Sequence, residues 1–111
     1  MMNTKTILLI ENDIALRENV QELLELYDHK VITAANGAIG IALANKEKFD
    51  IILCDIMMPQ VDGYSVFNTL RNNSNTSQIP FVFCSAKTEN KEIKKGLEGG
   101  VKAYLKKPFE E

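Results

Sequence analysis

"IILCDIMMPQVDG" (residues 51–63) opens with four apolar residues in a row and then meets an acid, Asp55. An unbroken apolar run of this length reads as a strand buried on both faces. A carboxylate at the end of such a strand is costly unless something there uses it. Working outward, short apolar runs recur along the chain: "TILLI" (6–10), "KVITAA" (30–35), "DIILC" (50–54), "PFVFC" (80–84) and "VKAYL" (101–105). Each is rich enough in β-branched or aromatic residues to predict a strand.

The stretches between them have helical spacing. Leu16, Val20, Leu23, Leu24 and Tyr27 fall on one helical face, with Arg17, Glu18, Gln21, Glu22 and Glu25 elsewhere. Ile39, Ala42 and Leu43 mark a second helix, and Val66, Phe67 and Leu70 a third over 64–71. A fourth, around 88–98, is weaker, because Ile93 and Leu97 are its only large apolar residues and Gly96 interrupts it. It is expected to be the most mobile helix. Strict alternation of strand and helix predicts an α/β, doubly wound parallel sheet of five strands, covered on both faces by right-handed crossovers. Ligands of such sheets sit at the carboxyl ends of the strands.

Length and composition bound the rest. The 111 residues, 45% hydrophobic and 25% charged, fit one domain, and a formal net charge of −2 gives no general pull towards nucleic acid or an anionic membrane. No window approaches the roughly 18 apolar residues of a membrane span, so a cytoplasmic location is expected. Cys54 and Cys84 lie in strand-like runs without CxxC spacing and read as buried, reduced thiols. "NNS" (72–74) and "NTS" (75–77) read as loop, and His29 as a surface residue in a turn.

The predicted carboxyl ends carry Glu11, Asn12 and Asp13 on the first strand, Asp55 on the third and Ser85 on the fourth, with Lys107 and Pro108 after the last. Converging carboxylates repel one another unless a cation neutralises them. A hard cation with oxygen ligands, Mg²⁺ first among them, removes that repulsion and holds phosphate oxygens as well. A lysine and a hydroxyl opposite suit a phosphoryl group, with Asp55 as nucleophile.

Here the sequence resembles the receiver domains of bacterial two-component response regulators. "ILLIEND" (7–13) is similar to the family's first strand with its acidic pair, and "CDIMMPQVDG" (54–63) to its phosphoacceptor strand and loop. "FVFCSA" (81–86) and "AYLKKPF" (103–109) match the Ser/Thr strand end and the lysine-proline segment. Separations of 44 residues from Glu11 to Asp55, 30 to Ser85 and 22 to Lys107 agree as well. One such motif is weak, but four in order at these spacings are specific.

The resemblance implies a flavodoxin-like sheet of order 2-1-3-4-5 and a single receiver domain over 1–111. It implies Asp55 as phosphoacceptor from a histidine kinase or phosphotransfer protein, and a Mg²⁺ site of Glu11, Asn12, Asp55 and the Met57 carbonyl. Ser85 and Lys107 would take phosphoryl oxygens, Ala86 would leave room for its own N–H to approach, and a cis Lys107–Pro108 bond would aim the lysine. Ser85 and Tyr104 would form the switch. Partners would be the kinase and an output protein or domain, without direct nucleic-acid binding or membrane contact. The domain would catalyse only its own phosphorylation and hydrolysis, and is not an enzyme on an outside substrate. Pro59 is expected to fix the loop leaving the site, Gly63 to supply a backbone geometry other residues resist, and Asp13 and Asp62 to cap helices.

Two departures stand out. Asn12 replaces the usual aspartate, which predicts weakened metal binding. The family's fifth helix has no counterpart after "KPFEE" (107–111), so an uncovered sheet face is expected to favour association, such as a homodimer, exchange of segments, or truncation. A degenerate receiver that binds partners without phosphorylation is the alternative. A flavodoxin-like ligand binder or hydrolase lacks a Gly-rich phosphate loop or a Ser-His pair.

Overall fold

In the computed structural model, which describes residues 4–85 and 103–106, the apolar runs pair side by side in parallel. The strands are β1 (Thr6–Ile10), β2 (Lys30–Ala34), β3 (Ile51–Asp55), β4 (Phe81–Ser85) and β5 (Ala103–Lys106), in the order β2-β1-β3-β4-β5. The helices are α1 (Ile14–Leu26), α2 (Gly37–Lys46) and α3 (Gly63–Arg71). This is the doubly wound sheet expected. The weak helix expected around 88–98 lies outside the described residues.

Alternation along each strand divides the core into two layers. Ile7, Leu9, Val31, Leu53, Val82 and Cys84 face α1, which contributes Val20, Leu16 and Leu24. Leu8, Ile10, Ile52, Cys54, Phe81 and Phe83 belong to the opposite layer, with Ala44 of α2 and Val66, Phe67 and Leu70 of α3. Aromatic edges lock α3 down: Phe67 meets Phe81 at 5.1 Å between centroids, and Tyr64 meets Phe83 at 5.0 Å, both near-perpendicular.

The helical faces differ in detail from expectation. Tyr27 is the C-cap of α1 and is 56% exposed, because the chain leaves the helix there. Leu23 lies with Asn19, Glu22, Glu25 and Leu26 along a surface groove. In α2 the inward positions are Gly37, Gly40 and Ala44, while Ile39 is 46% exposed. The reason is close approach: a Cβ on Gly40 would run into the side chain of Ile10, so this helix reaches the sheet through its smallest residues.

Several strand ends are also displaced by a residue from the expected runs, and β3 shows why. Asp50 does not extend β3. Its carboxylate accepts from the Thr6 N–H (2.8 Å) and its own N–H donates to the Thr6 carbonyl (2.8 Å), tying off β1 instead. At the other end β3 includes Asp55, paired with Cys84 of β4. His29 holds the same amino end, its Nδ1 accepting from the Lys5 N–H at 3.0 Å. No described helix is long and apolar enough to cross a membrane.

Candidate functional site

The β1–β3 register pairs Ile10 with Cys54, so the next residues, Glu11 and Asp55, emerge side by side at the carboxyl edge. Alternation continues the Ile7–Leu9 and Ile51–Leu53 faces through these acids, placing both on the α1 side of the sheet. Both are buried, Glu11 at 3% and Asp55 at 6% exposure, which is unusual for carboxylic acids.

Local chemistry explains how each is held. The Glu11 N–H donates to the Ala34 carbonyl (3.0 Å), extending the β1–β2 ladder by one bond. Its carboxylate accepts from the Asp13 N–H at 3.2 Å. Asp13 caps α1, its Oδ1 accepting from the Leu16 N–H at 3.0 Å. Asp55 is fixed through its backbone: the Cys54 thiol donates to the Asp55 carbonyl (3.3 Å), and the next N–H, of Ile56, donates to the Cys84 carbonyl (3.3 Å).

The loop after Asp55 is folded back on the strand. Gly63 N–H donates to the Ile56 carbonyl (2.9 Å), and Asp62 caps α3 through the Ser65 N–H (2.9 Å). Between them the Val61 N–H donates to the Pro59 carbonyl (2.8 Å), around Gln60 at φ 67°. That three-residue turn puts a non-glycine residue in a sparsely populated region. Gly63 corrects the expectation made for it. Its φ lies outside the left-handed region, and what demands glycine is space: a Cβ would stand 2.8 Å from the Ile56 Cα and collide with the Asp55 carbonyl oxygen.

Around the two acids, Asn12 and Met57 are exposed, Met57 at 57%, whereas Ile56 and Met58 are buried. Ser85 ends β4 and pairs with Lys106, and Tyr104 pairs with Phe83. Lys107, Pro108 and Ala86 lie outside the described residues. Burial pushes the Cys54 thiol well above its usual pKa, with nearby Cys84, Asp55, Glu11 and Asp62 adding to the effect. Both cysteines are buried thiols outside any disulfide, as expected.

One residue at this edge escaped the sequence reading. Arg17 sits on the face of α1 read as polar, yet its Nη1 donates to the Glu11 carbonyl at 2.8 Å. A lone arginine among charged helix positions carries no signal that it folds back onto a strand end.

Residues 7–111 match the family described as "Response regulator receiver domain". The chain is similar to the probable transcriptional regulator ycf29 of Porphyra purpurea, 41% identical over 104 residues, covering 94% of this chain and 50% of that protein. It thus spans about half the length of the first curated relatives it matches. Among solved structures, the chemotaxis protein CheY4 of Vibrio cholerae superposes with a TM-score of 0.91 at 28% identity, covering 97% of this chain and 90% of that one. The receiver domain of the sensor histidine kinase PA1611 of Pseudomonas aeruginosa, described with a magnesium ion in its active-site cleft, gives 0.87 at 27% identity, with 97% and 88% coverage. A match across nearly the whole chain, on the sheet order found here, leaves one assignment: this chain belongs to the response regulator receiver domains of two-component signalling.

Proposed function

We propose that residues 1–111 act as a phosphoacceptor receiver in which Asp55 takes a phosphoryl group from the phosphohistidine of a kinase or phosphotransfer protein. The observation that carries this reading is the pair of buried carboxylates, Glu11 and Asp55, at adjacent carboxyl ends of the sheet. An Asp55 carboxylate oxygen attacks phosphorus, a P–O bond forms, the P–N bond breaks, and the leaving imidazole takes a proton from solvent.

The donors suit a hard cation, since Glu11, Asp55, the Asn12 amide and the Met57 carbonyl offer only oxygen. Among the described residues no three His, Cys, Asp or Glu side chains group as a metal site, so a neutral amide and a carbonyl must complete the set. Bound Mg²⁺ supplies charge neutralisation between the acids and the incoming phosphoryl oxygens. Ser85 and Lys107 take the remaining phosphoryl oxygens, and Ser85 with Tyr104 carries the change to an output protein or attached domain. Strand pairing supports the last step, since β4 and β5 place Ser85 and Tyr104 two registers apart.

Incubation with acetyl phosphate and Mg²⁺, followed by intact mass measurement, is expected to show one added phosphoryl group. The group should be absent in Asp55→Ala and without the metal. No modification of the natural chain would refute this reading and favour a receiver that binds partners without phosphorylation, the alternative that Asn12 raises.

A further inference from the structure

We propose that Arg17 is the positioning residue that sets Glu11 for a divalent cation; this rests on the reading of Glu11 and Asp55 as a Mg²⁺ site. The N–H, the carbonyl and the carboxylate of Glu11 each have a defined partner. Its N–H donates to the Ala34 carbonyl at 3.0 Å, its carboxylate accepts from the Asp13 N–H at 3.2 Å, and its carbonyl accepts from Arg17 Nη1 at 2.8 Å. The first two bonds come from the sheet and from the turn into α1. The third comes from a long side chain that has no geometric need to be there.

Two features argue that this bond serves the site and is not incidental. Arg17 is half-buried and spends a guanidinium donor on a neutral carbonyl, although acids stand on its own helix at Glu18 and on its own helical cap at Asp13. Its charge also lies at the edge where two buried carboxylates meet, and there a fixed positive charge opposes cation binding. A purely electrostatic optimum for Mg²⁺ would place no arginine at this point. What it contributes is order. It closes a ring from the Glu11 carbonyl through Arg17 to the first turn of α1, where the Arg17 N–H donates to the Asp13 carbonyl (2.9 Å). The Asp13 N–H in turn holds the Glu11 carboxylate. Loosening the carbonyl therefore loosens the carboxylate.

The sign of the effect separates positioning from charge. If charge dominated, Arg17→Met would tighten Mg²⁺ binding. Positioning predicts that Arg17→Met weakens it by about fivefold, the factor one ordinary hydrogen bond carries. Because one N–H···O bond is at stake and not a two-pronged fork, Arg17→Lys should restore affinity to within about twofold. The experiment titrates Mg²⁺ alone into the isotope-labelled chain and into both variants, following amide resonances, with thermal melts to show that each is folded. Solvent exchange of the Asp13 amide, measured without metal, is the second readout. It should quicken by about fivefold in Arg17→Met. The Leu8 and Ile52 amides in the core should not change. Equal or tighter Mg²⁺ binding by Arg17→Met, or unaltered Asp13 exchange, overturns the proposal. If the natural chain takes up no Mg²⁺, the metal reading itself fails. Quickened Asp13 exchange would then still show that Arg17 orders Glu11, so the two failures are distinguishable.

Discussion

Gly63→Ala should damage both the fold and the phosphoacceptor strand, and the structure gives the size of the insult. The new Cβ would lie 2.8 Å from the Ile56 Cα and 3.1 Å from the Asp55 carbonyl carbon, besides striking the Asp55 carbonyl oxygen. Carbon–carbon contact is comfortable near 3.5–4.0 Å, so the start of α3 and the end of β3 must part by roughly 0.8 Å. All of these atoms are backbone, so no side chain can swing aside. Overpacking of this kind costs about 1–3 kcal/mol. The Gly63 N–H bond to the Ile56 carbonyl, now 2.9 Å, stretches with it, a further loss of about 1 kcal/mol. Restricting the unfolded chain returns roughly 0.4–1 kcal/mol. The net is a destabilisation of about 2–3 kcal/mol, or a fall of roughly 10 °C in thermal midpoint for a domain of this length. Gly40→Ala is the internal comparison. The three atoms nearest its Cβ all belong to the Ile10 side chain, Cδ1 closest of all, with Cγ1 at 2.7 Å and Cγ2 at 3.3 Å, so a side chain and not backbone has to yield, and a mid-helix alanine regains about 1 kcal/mol. Melts followed by circular dichroism should rank Gly63→Ala well below Gly40→Ala. Gly63→Ala should also take up less phosphoryl group at temperatures where it remains folded. A midpoint for Gly63→Ala within about 2 °C of the natural chain would refute the argument from space.

Asn12→Asp restores a negative charge beside Glu11 and Asp55 and should tighten Mg²⁺ binding by roughly tenfold, the order expected for one added charge at a partly solvated site. Equal affinities in a titration would refute it. The Cys54 thiol stays protonated in the folded chain at pH values where the unfolded thiol ionises. Its contribution to stability is therefore complete below about pH 8.5 and declines as pH rises towards the folded pKa. Urea midpoints at about pH 7.5 and 9.5 should fall less with pH in Cys54→Ala than in the natural chain; equal falls would show that the thiol is not the group responsible.

The sheet was legible because its central strands are continuous apolar runs that alternate with stretches of helical spacing, a combination that a parallel sheet covered on both faces satisfies. Strand ends were less so. Asp50 and Asp55 flank the same run in "DIILCD" (50–55), and only pairing with β4 shows that the second belongs to the strand and the first ties off β1. The inward face of α2 was hidden because glycine adds nothing to an apolar pattern, although Gly40 lets the helix approach β1 and Gly37 lets it approach Val61 and, in α3, Val66. The acids Glu11 and Asp55 stood out because charge at the end of a buried run is anomalous. Arg17 did not, since its role depends on which way a flexible side chain turns. Gly63 was noticed for the wrong cause: a close approach of backbone and an unusual φ leave the same letter in the sequence.

The register also decides what the two thiols can do to each other. Cys54 stands opposite Phe83 while Cys84 stands opposite Asp55, so neighbouring strands carry their sulfurs to opposite faces of the sheet. Cβ vectors that diverge in this way cannot be bridged without moving the backbone. Oxidation of the folded molecule therefore has no internal disulfide to form. Any sulfur cross-link between two copies requires that a strand first leave the sheet. Covalent dimers seen on a non-reducing gel would measure how often this domain opens, and would say nothing of the contacts it makes when closed.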